Sequence, residues 1–319
     1  MTTRNSDGRQ SAHAVVMVRP ARFASNPETA ATNAFQPDTP PLEPAESHRR
    51  ALAEFDALVD TLRGAGVRVY IFDGTPEPHT PDAIFPNNWV SFHGNGSVVL
   101  YPMMAENRRL ERRLDVIDEL SDTYGFDVGN IYDLSPHENA GHFLEGTGSL
   151  VLDREHRVAY ACLSARTDVK VIEQFIERVP YEPFVFEGFD AQRVPIYHTN
   201  VMMCIGTGYA VVCSAAVVDA ERRRALLDRL ATGGRDLIDI SLPQVAAFAG
   251  NMLEVEGAGG KRYLALSARA ERSLDAGQRK RLSEHVELLS SPIDTIEAIS
   301  GGGVRCMLAA VHLPPADAD

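Results

Sequence analysis

NNWVSFHGNGSVVLYPM from Asn87, TGSLVLDREHRVAYACLSAR from Thr147, NVMMCIGTGYAVVCSAAV from Asn200 and NMLEVEGAGGKRYLALSAR from Asn251 are four versions of one pattern. Each has an apolar or alternating run, a turn with Gly, Asn or Asp, and a second apolar run, which predicts a β-hairpin. The starts lie 60, 53 and 51 residues apart, and helical patterns such as DVKVIEQFIERV and DAERRRALLDRLA lie between them. Regular spacing of this kind predicts repeated supersecondary units that pack on their neighbours.

The two ends of the chain supply the rest of the pattern. HAVVMVRPARF near the start predicts a strand, followed by a helix from about Glu46 to Arg63 and the strand VRVYIF. Near the other end, Ser283 to Ile299 has a helical pattern, and VRCMLAAVHL predicts a strand. About five units of strand, strand, helix and strand result, so we expect one closed, propeller-like α/β ring. An open α/β sheet with an added hairpin layer is the alternative.

Two segments are expected to lie outside the repeat. The tract from Asn33 to Pro44 contains several prolines and predicts a loop or a lid. Residues 1–12 show no periodic apolar pattern, and we expect a disordered N-terminal tail.

Composition excludes several classes of protein. The chain has 319 residues, 44% hydrophobic and 24% charged, which is typical of a globular protein. The net charge is -13 and no basic patch occurs, so nucleic acid is not an expected partner. No apolar run approaches the roughly 20 residues of a membrane span, and the start does not resemble a signal peptide. We therefore expect a cytoplasmic protein.

The cysteines differ in their surroundings. Cys306 follows three glycines in SGGGVRCMLAA, and glycines let the backbone approach a ligand closely. Cys306 is therefore a candidate nucleophile, although a buried strand cysteine is the alternative. Cys162, Cys204 and Cys213 lie inside apolar hairpins and are expected to be packed core thiols. The spacing of the four fits neither a disulfide framework nor a CxxC metal site.

A cysteine nucleophile needs a partner that exchanges protons near neutral pH. His198, where the apolar run VPIY ends, suits this role, because the unperturbed pKa of histidine is about 6.5. His93, His137 and His142 are competitors. HENAGH has two histidines five residues apart, but its glycine indicates a loop and the spacing does not place both on one helical face, so no metal is expected.

Glu145 in GHFLEGTGS has two interpretations: it binds a cationic substrate or orients the histidine, or it lies in a solvated turn.

Together, these residues resemble a known superfamily. FLEG, a later histidine after an apolar strand, and a terminal GGG-x-x-C are similar to the guanidine-modifying penteins, which include arginine deiminases, dimethylarginine hydrolases, dihydrolases and amidinotransferases. With NPETAATN, PDAIFPNNW, YHTNVMM and GGGVRCM, the chain looks closest to an amidinotransferase-like branch associated with citrulline utilisation.

The resemblance implies a fivefold pseudosymmetric α/β propeller of ββαβ units, with 1–319 as one catalytic domain and no cofactor. By resemblance, Cys306 attacks a guanidino carbon and leaves a covalent thioether. His198 protonates the departing amine and activates water, while Glu145 binds substrate nitrogens and supports His198. The expected substrate is a small guanidino or ureido amino acid.

Two positions depart from the deiminase pattern. The stretch Phe85-Pro86-Asn87-Asn88 has Asn88 where deiminases carry an aspartate, and Asn200 stands two residues after His198, where a second aspartate is common. An amide both donates and accepts hydrogen bonds, so it can meet a neutral ureido group. We therefore expect activity on citrulline-type groups, or a double hydrolysis of arginine to ornithine, ammonia and carbon dioxide. Asp82 could restore one carboxylate.

The carboxylate end of an amino-acid substrate needs an arginine, because the guanidinium pairs with a carboxylate through two hydrogen bonds. Arg19, Arg22, Arg166 and Arg305 are candidates, and we favour Arg166 and Arg305. Gly303 is expected to bring the backbone close to the substrate.

Two other functions stay open at this stage. An amidinotransferase would use the same thiol and pass the amidino group to an amine. A ring-shaped binding protein would have the fold without the activity, although Cys306, His198 and Glu145 are all present. A homo-oligomer is possible, and nothing in the sequence selects a monomer, dimer or tetramer.

Overall fold

Fifteen short strands form the framework of the protein in a computed structural model that describes residues 8–37 and 39–316. The strands are β1 (Ala14–Arg19), β2 (Arg68–Asp73), β3 (Val90–Phe92), β4 (Ser97–Leu100), β5 (Asn130–Asp133), β6 (Leu150–Asp153), β7 (Val158–Cys162), β8 (Glu182–Phe186), β9 (Met203–Gly206), β10 (Tyr209–Val212), β11 (Asp236–Asp239), β12 (Leu253–Glu256), β13 (Arg262–Ser267), β14 (Glu287–Ser291) and β15 (Ala309–Val311).

Eleven α-helices connect these strands within the described ranges. They are α1 (Pro27–Ala30), α2 (Pro44–Gly64), α3 (Glu106–Arg109), α4 (Leu114–Asp122), α5 (Gly146–Ser149), α6 (Val169–Arg178), α7 (Ala220–Leu230), α8 (Leu242–Ala246), α9 (Ala268–Ser273), α10 (Ala276–Ser283) and α11 (Asp294–Ser300). None of them combines the length and the hydropathy that crossing a membrane requires.

The strands pair into five three-stranded sheets of identical pattern. In each sheet one strand is antiparallel to the middle strand, and the middle strand is parallel to the third. In the second sheet, for example, β3 and β4 form a hairpin, and β4 pairs in parallel with β5. A parallel pair needs a crossover, and a helix such as α6 between β7 and β8 provides it. Each unit is therefore ββαβ, and the predicted fivefold propeller is confirmed.

The ends of the chain close the ring in one shared sheet. β1 pairs in parallel with β2 and antiparallel with β15, so that Ala14 lies opposite both Arg68 and Val311. Neighbouring inner strands also contact one another around the axis, as β6 with β9 and β15 with β3. The alternative of an open sheet is therefore wrong.

The helices form where apolar residues recur at helical spacing. In α2, Pro44 lies in the first turn, where it removes no hydrogen bond, and Ala51, Phe55, Leu58 and Leu62 are buried along one face. Burying a leucine or phenylalanine contributes about 1.5–3 kcal/mol, so this face fixes α2 against its sheet.

Two local predictions are wrong. Ser283 to Ile299 is not one helix: β14 pairs in parallel with β13, Pro292 follows it, and α11 begins at Asp294. Pairing of β14 with β13 satisfies the backbone hydrogen bonds of this segment and completes its three-stranded sheet. This gain outweighs the local helical pattern. The predicted tail is wrong over Gln10–Ala12, because Gln10, Ser11 and Ala12 are buried. Residues 1–7 lie outside the described residues.

Candidate active site

Short helical turns bring polar side chains to one end of the ring axis. The turns Pro86–Asn88, α5, Thr199–Val201 and Val304–Met307 come directly before the inner strands β3, β6, β9 and β15. The position three residues before each of these strands holds, in order, Asn87, Thr147, Asn200 and Cys306, and Asn251 stands two residues before β12. The repeat thus contributes one such residue from each unit.

Cys306 is buried among the amides of this set. Asn251 Nδ2 lies 3.3 Å from Cys306 Sγ, and Asn200 Nδ2 lies 3.8 Å from it. Asn251 Nδ2 also donates to the carbonyl of Asn200 at 3.0 Å, which holds the two side chains together. Burial raises the pKa of the Cys306 thiol, and Asn251, the Gly303 backbone, Arg305 and Asn200 offset part of this effect.

The glycines before Cys306 allow two close approaches and one left-handed backbone conformation. A Cβ on Gly302 would lie 2.5 Å from the Phe85 ring, and one on Gly303 would lie 2.6 Å from Asn251 Oδ1. Gly301 has φ 65° and ends α11, a conformation that glycine adopts without strain. Gly301 and Gly302 line the pocket of Cys306, whereas Gly303, the glycine predicted to approach the substrate, packs against Asn251.

His198 and Glu145 form a buried hydrogen bond. The distance from His198 Nε2 to Glu145 Oε2 is 2.9 Å, and the backbone N–H of Met104 donates to Glu145 Oε1 at 3.1 Å. Since an ionised carboxylate only accepts, Nε2 carries the proton of the neutral ring. His198 lines the same pocket as Cys306, and Glu145 lies behind His198.

Burial and neighbouring charges decide the protonation of this pair. Burial lowers the pKa of His198 to about 4, although Glu145 raises it, so the imidazole is neutral at pH 7. Burial would raise the pKa of Glu145, but Arg166, the hydrogen bond with His198 and Arg108 hold it well below its ordinary value. The free site therefore contains a carboxylate, a neutral imidazole and a neutral thiol.

Two buried arginines complete the pocket. Arg108 forms hydrogen bonds to Glu111 and, at 3.0 Å, to Asn88 Oδ1, and it lies 3.8 Å from both Asp82 and Glu145. The Oδ1 of Asn88 therefore accepts from the Arg108 guanidinium, and its Nδ2 lies 3.5 Å from the backbone carbonyl of Glu145. Asp82, Asn88 and Arg108 all line the pocket.

The predicted arginines separate into three places. Arg166 lines the pocket, lies 3.4 Å from Glu145 Oε2 and donates to Thr29 and Thr32. Arg305 points away: it lines a different cavity on the ring axis and donates to the carbonyl of Leu308. The prediction that Arg305 holds the substrate is therefore wrong, because residues 304–307 form a turn and its adjacent side chains leave in different directions. Arg19 pairs with Asp56 at the surface, and Arg22 is exposed.

The sequence reasoning missed two residues of the site, Asn251 and Arg108. Asn251 had a usable signal, since it starts the fourth repeat as Asn200 starts the third. Arg108 had none, because RRLERR reads as a solvated helix face, yet Arg108 is 2% exposed.

A loop covers the pocket, as the tract from Asn33 to Pro44 suggested. Asn33 Nδ2 donates to the carbonyl of Ser300 at 3.0 Å, and Phe35 packs against Tyr197 and Phe248. The pocket has a volume of about 20 Å³ and is lined by Thr29, Asn33, Asp82, Phe85, Asn88, Arg108, Arg166, Tyr197, His198, Ser300, Gly301, Gly302 and Cys306. This space holds one or two water molecules.

The other candidate groups lie elsewhere. His142 pairs with Asp168, and His93 contacts Ser91 in the interior. Across residues 8–37 and 39–316, no group of three or more His, Cys, Asp or Glu side chains is arranged to hold a metal ion.

Comparisons with known proteins give one family and several similar structures. The family model described as N,N dimethylarginine dimethylhydrolase, eukaryotic, matches residues 19–313. The solved structure of apo ArgZ, an arginine dihydrolase from the ornithine-ammonia cycle in cyanobacteria, is 19% identical with a TM-score of 0.73, covering 95% of this chain and 41% of that one. The present chain thus spans less than half of that protein. No curated protein matches the chain by sequence.

Two shorter structures match over nearly their whole length. The N-terminal domain of ArgZ, covalently bound to a reaction intermediate, is 18% identical with a TM-score of 0.73, covering 94% of this chain and 98% of that one. DDAH from Pseudomonas aeruginosa, complexed with citrulline, is 15% identical with a TM-score of 0.63, covering 93% and 98%. At these identities the structures establish the fold.

Proposed function

The chain belongs to the N,N dimethylarginine dimethylhydrolase family, and we propose that it hydrolyses a C–N bond of a guanidino or ureido amino acid through a covalent bond to Cys306. Membership confirms the predicted resemblance to the guanidine-modifying penteins. The observation that carries the proposal is one buried pocket lined by Cys306 and His198, with Glu145 bonded to His198 at 2.9 Å.

Activation of the thiol follows from the charges of the pocket. In the free protein burial keeps Cys306 protonated and His198 neutral. A guanidinium that enters beside Cys306 stabilises the thiolate and lowers the pKa of the thiol. The thiol proton then passes to His198, and Glu145 stabilises the imidazolium that forms.

The first half-reaction exchanges one bond for another. The sulfur of Cys306 bonds to the guanidino carbon, the imidazolium of His198 gives its proton to the departing nitrogen, and the C–N bond breaks. An amine or ammonia leaves, and an amidino thioether remains on Cys306. Asp82 lines the pocket and is the carboxylate that would face the cationic substrate, since Glu145 lies behind His198.

The second half-reaction restores the thiol. His198 takes a proton from water, the oxygen bonds to the thioether carbon, and the C–S bond breaks as the proton returns to sulfur. The product is a neutral ureido compound.

We extend the proposal to a second hydrolysis on the ureido product, giving ornithine, ammonia and carbon dioxide from arginine. Asn88 stands where deiminases carry an aspartate, and its Oδ1 accepts from Arg108 at 3.0 Å, so this position offers the substrate an amide instead of a negative charge. A neutral ureido group can therefore bind where a guanidinium binds.

Ammonia release by wild type, Cys306→Ala and the control Cys213→Ala tests the proposal. The substrates are arginine, citrulline, agmatine, N-succinylarginine and methylated arginines, with citrulline and ornithine quantified. We expect release from wild type and Cys213→Ala only. Ornithine with two ammonias per arginine supports the double hydrolysis, whereas citrulline alone limits the reaction to one step. Release by Cys306→Ala at the wild-type rate contradicts the thiol mechanism.

A further inference from the structure

A second cavity lies on the axis of the ring and shares no lining residue with the pocket of Cys306 and His198. Its volume is about 40 Å³. Residues of the inner strands β6, β9, β12 and β15 line it, together with Gln10, Arg154, Arg305 and His312. The cavity therefore lies where the units of the ring meet.

The cavity contains two buried guanidinium groups without a carboxylate. Arg154 is 8% exposed and Arg305 is 9% exposed, and no carboxylate of the described residues lies within 4.0 Å of either guanidinium. The other buried arginines, Arg108, Arg166 and Arg235, each have one at 3.4 Å or less. Among the buried arginines that the structure describes, Arg154 and Arg305 thus differ from the other three.

The hydrogen-bond partners of these two arginines in the described residues are uncharged groups. Arg305 Nη1 donates to the carbonyl of Leu308 at 2.7 Å, which uses one of its five N–H donors. The side chain of Arg154 bonds to the hydroxyl of Tyr181. Glu254, a carboxylate on β12, accepts from Ser11 and from both the N–H and the hydroxyl of Thr207, so its oxygens are already engaged.

The positive groups also act on each other. Burial, together with Arg154, lowers the pKa of Arg305 to about 10, although Cys306 raises it. Burial together with Arg154 and Arg305 holds the pKa of His312 well below its ordinary value. Both arginines remain charged at pH 7, and an uncompensated buried charge has an energetic cost for the folded protein. A negative charge in the cavity would remove this cost.

We propose that the axial cavity binds one small monovalent anion, of the class of chloride or a planar oxyanion such as nitrate or bicarbonate, between Arg154 and Arg305. The volume limits the ligand to the size of two or three water molecules. Guanidinium groups bind such anions through charge-assisted and often paired hydrogen bonds. Gln10 lines the cavity, and its Nε2 is held by hydrogen bonds to the carbonyls of Leu152 and Ile205.

A bromide soak tests the proposal on the wild-type protein. Crystals soaked in sodium bromide and measured at the bromine absorption edge should show an anomalous peak in the axial cavity next to Arg154 and Arg305. A data set with bromide peaks only at the surface overturns the proposal. This measurement does not depend on the activity or on any variant folding.

Thermal unfolding gives a second test in solution. Tm is measured against sodium chloride with sodium gluconate at constant ionic strength, because gluconate is too large for the cavity. Chloride should raise Tm of wild type, since a ligand of the folded state stabilises it. The apparent chloride affinity should fall at least tenfold in Arg154→Met and Arg305→Met and stay unchanged in Arg272→Met, an arginine with a 66% exposed side chain. Equal chloride responses in all four proteins overturn the proposal.

Discussion

Asn251 Nδ2 lies 3.3 Å from Cys306 Sγ, and the same nitrogen donates to the carbonyl of Asn200 at 3.0 Å. Two repeats of the ring therefore combine to hold an amide against the thiol of a third. A hydrogen bond to a thiolate stabilises the charged form and lowers the thiol pKa, so Asn251 acts on the reactivity of Cys306.

Asn251→Ala should shift the pH profile of Cys306 alkylation by iodoacetamide to higher pH and reduce kcat/KM about tenfold, because the loss of one hydrogen bond to a charged group costs roughly 1.5–3 kcal/mol. Asn251→Asp should shift the profile further, since a carboxylate opposes the thiolate. Alkylation is followed by mass spectrometry at Cys306. An unchanged pH profile of Cys306 alkylation in both variants would mean that the Asn251 amide has no effect on the thiol pKa.

Glu145→Gln should reduce kcat about 100-fold or more, because an amide no longer stabilises the imidazolium of His198. Glu145 also offsets the charges of Arg108 and Arg166, so we expect a loss of about 3 kcal/mol in the free energy of unfolding. Urea unfolding and ammonia release at a temperature where the variant is folded separate the two effects. Activity near wild type in the folded variant contradicts the role given to Glu145.

The stabilising effect of Glu145 should depend on pH. Its folded pKa is depressed, so its contribution is present above the ordinary pKa of glutamate and is lost as pH falls below that value. The difference in unfolding free energy between wild type and Glu145→Gln should therefore shrink between about pH 4.5 and pH 3. A difference that does not change with pH would show that the carboxylate is not ionised in the folded state.

Asn88→Asp should change the preference between charged and neutral substrates. A carboxylate at this position faces Arg108, 3.0 Å away, and adds negative charge to the pocket. We expect the ratio of kcat/KM for arginine to that for citrulline to rise about tenfold, which corresponds to about 1.4 kcal/mol. Asn95→Asp is the control, since Asn95 is exposed in the turn between β3 and β4 and does not line the pocket. A ratio that is equal in both variants contradicts the role of Asn88.

Gly301→Ala and Gly125→Ala test the covering loop as a pair. Both glycines have positive φ, 65° and 68°, so both substitutions cost roughly 1 kcal/mol or more in backbone strain. A Cβ on Gly301 would lie 2.8 Å from Gln36 N, whereas one on Gly125 would meet nothing within 4 Å. We expect a changed KM only in Gly301→Ala, measured by steady-state kinetics. Identical kinetics in the two variants would show that the loop next to Gly301 has no role in substrate entry.

Glu297→Gln should stabilise the protein at high pH. Glu297 is 2% exposed, and burial raises its pKa to about 7. Because the pKa is raised in the folded state, the contribution of protonated Glu297 to the free energy of unfolding is full below the ordinary glutamate pKa near 4.5. This contribution is lost as pH rises through 7. The amide removes the buried charge, so the unfolding free energy should increase by about 2–3 kcal/mol at pH 8.5 and hardly at pH 5. Equal effects at the two pH values would contradict an ionised Glu297.

Much of the fold was predictable from local patterns. Four hairpins and most of the crossover helices repeat along the chain, and units with exposed faces need partners on both sides, which leads to a ring. The outer strand β14 was missed, because five residues paired with β13 carry no alternation strong enough to distinguish them from a helix.

The site was predictable where unusual residues mark it. Cys306 after three glycines, and Glu145 and His198 just before the hairpins of their units, could all be found from the sequence. Arg108 could not be found, because burial with Glu111 follows from packing around Asp82 and Glu145. The adjacent side chains of Arg305 and Cys306 also enter different cavities, which spacing along the chain does not encode.

The sequence by itself determined the repeat, the closed ring and the chemical types that meet in the pocket, since these depend on periodicity and on side-chain chemistry. Only the tertiary structure decided which charges compensate one another. Arg166 came to lie beside Glu145 and Arg108 beside Asp82, while Arg154 and Arg305 lie on the axis with no carboxylate of residues 8–37 or 39–316 within 4.0 Å. The physical reason is that electrostatic interactions depend on distance and burial in three dimensions, and residues far apart in the chain set both.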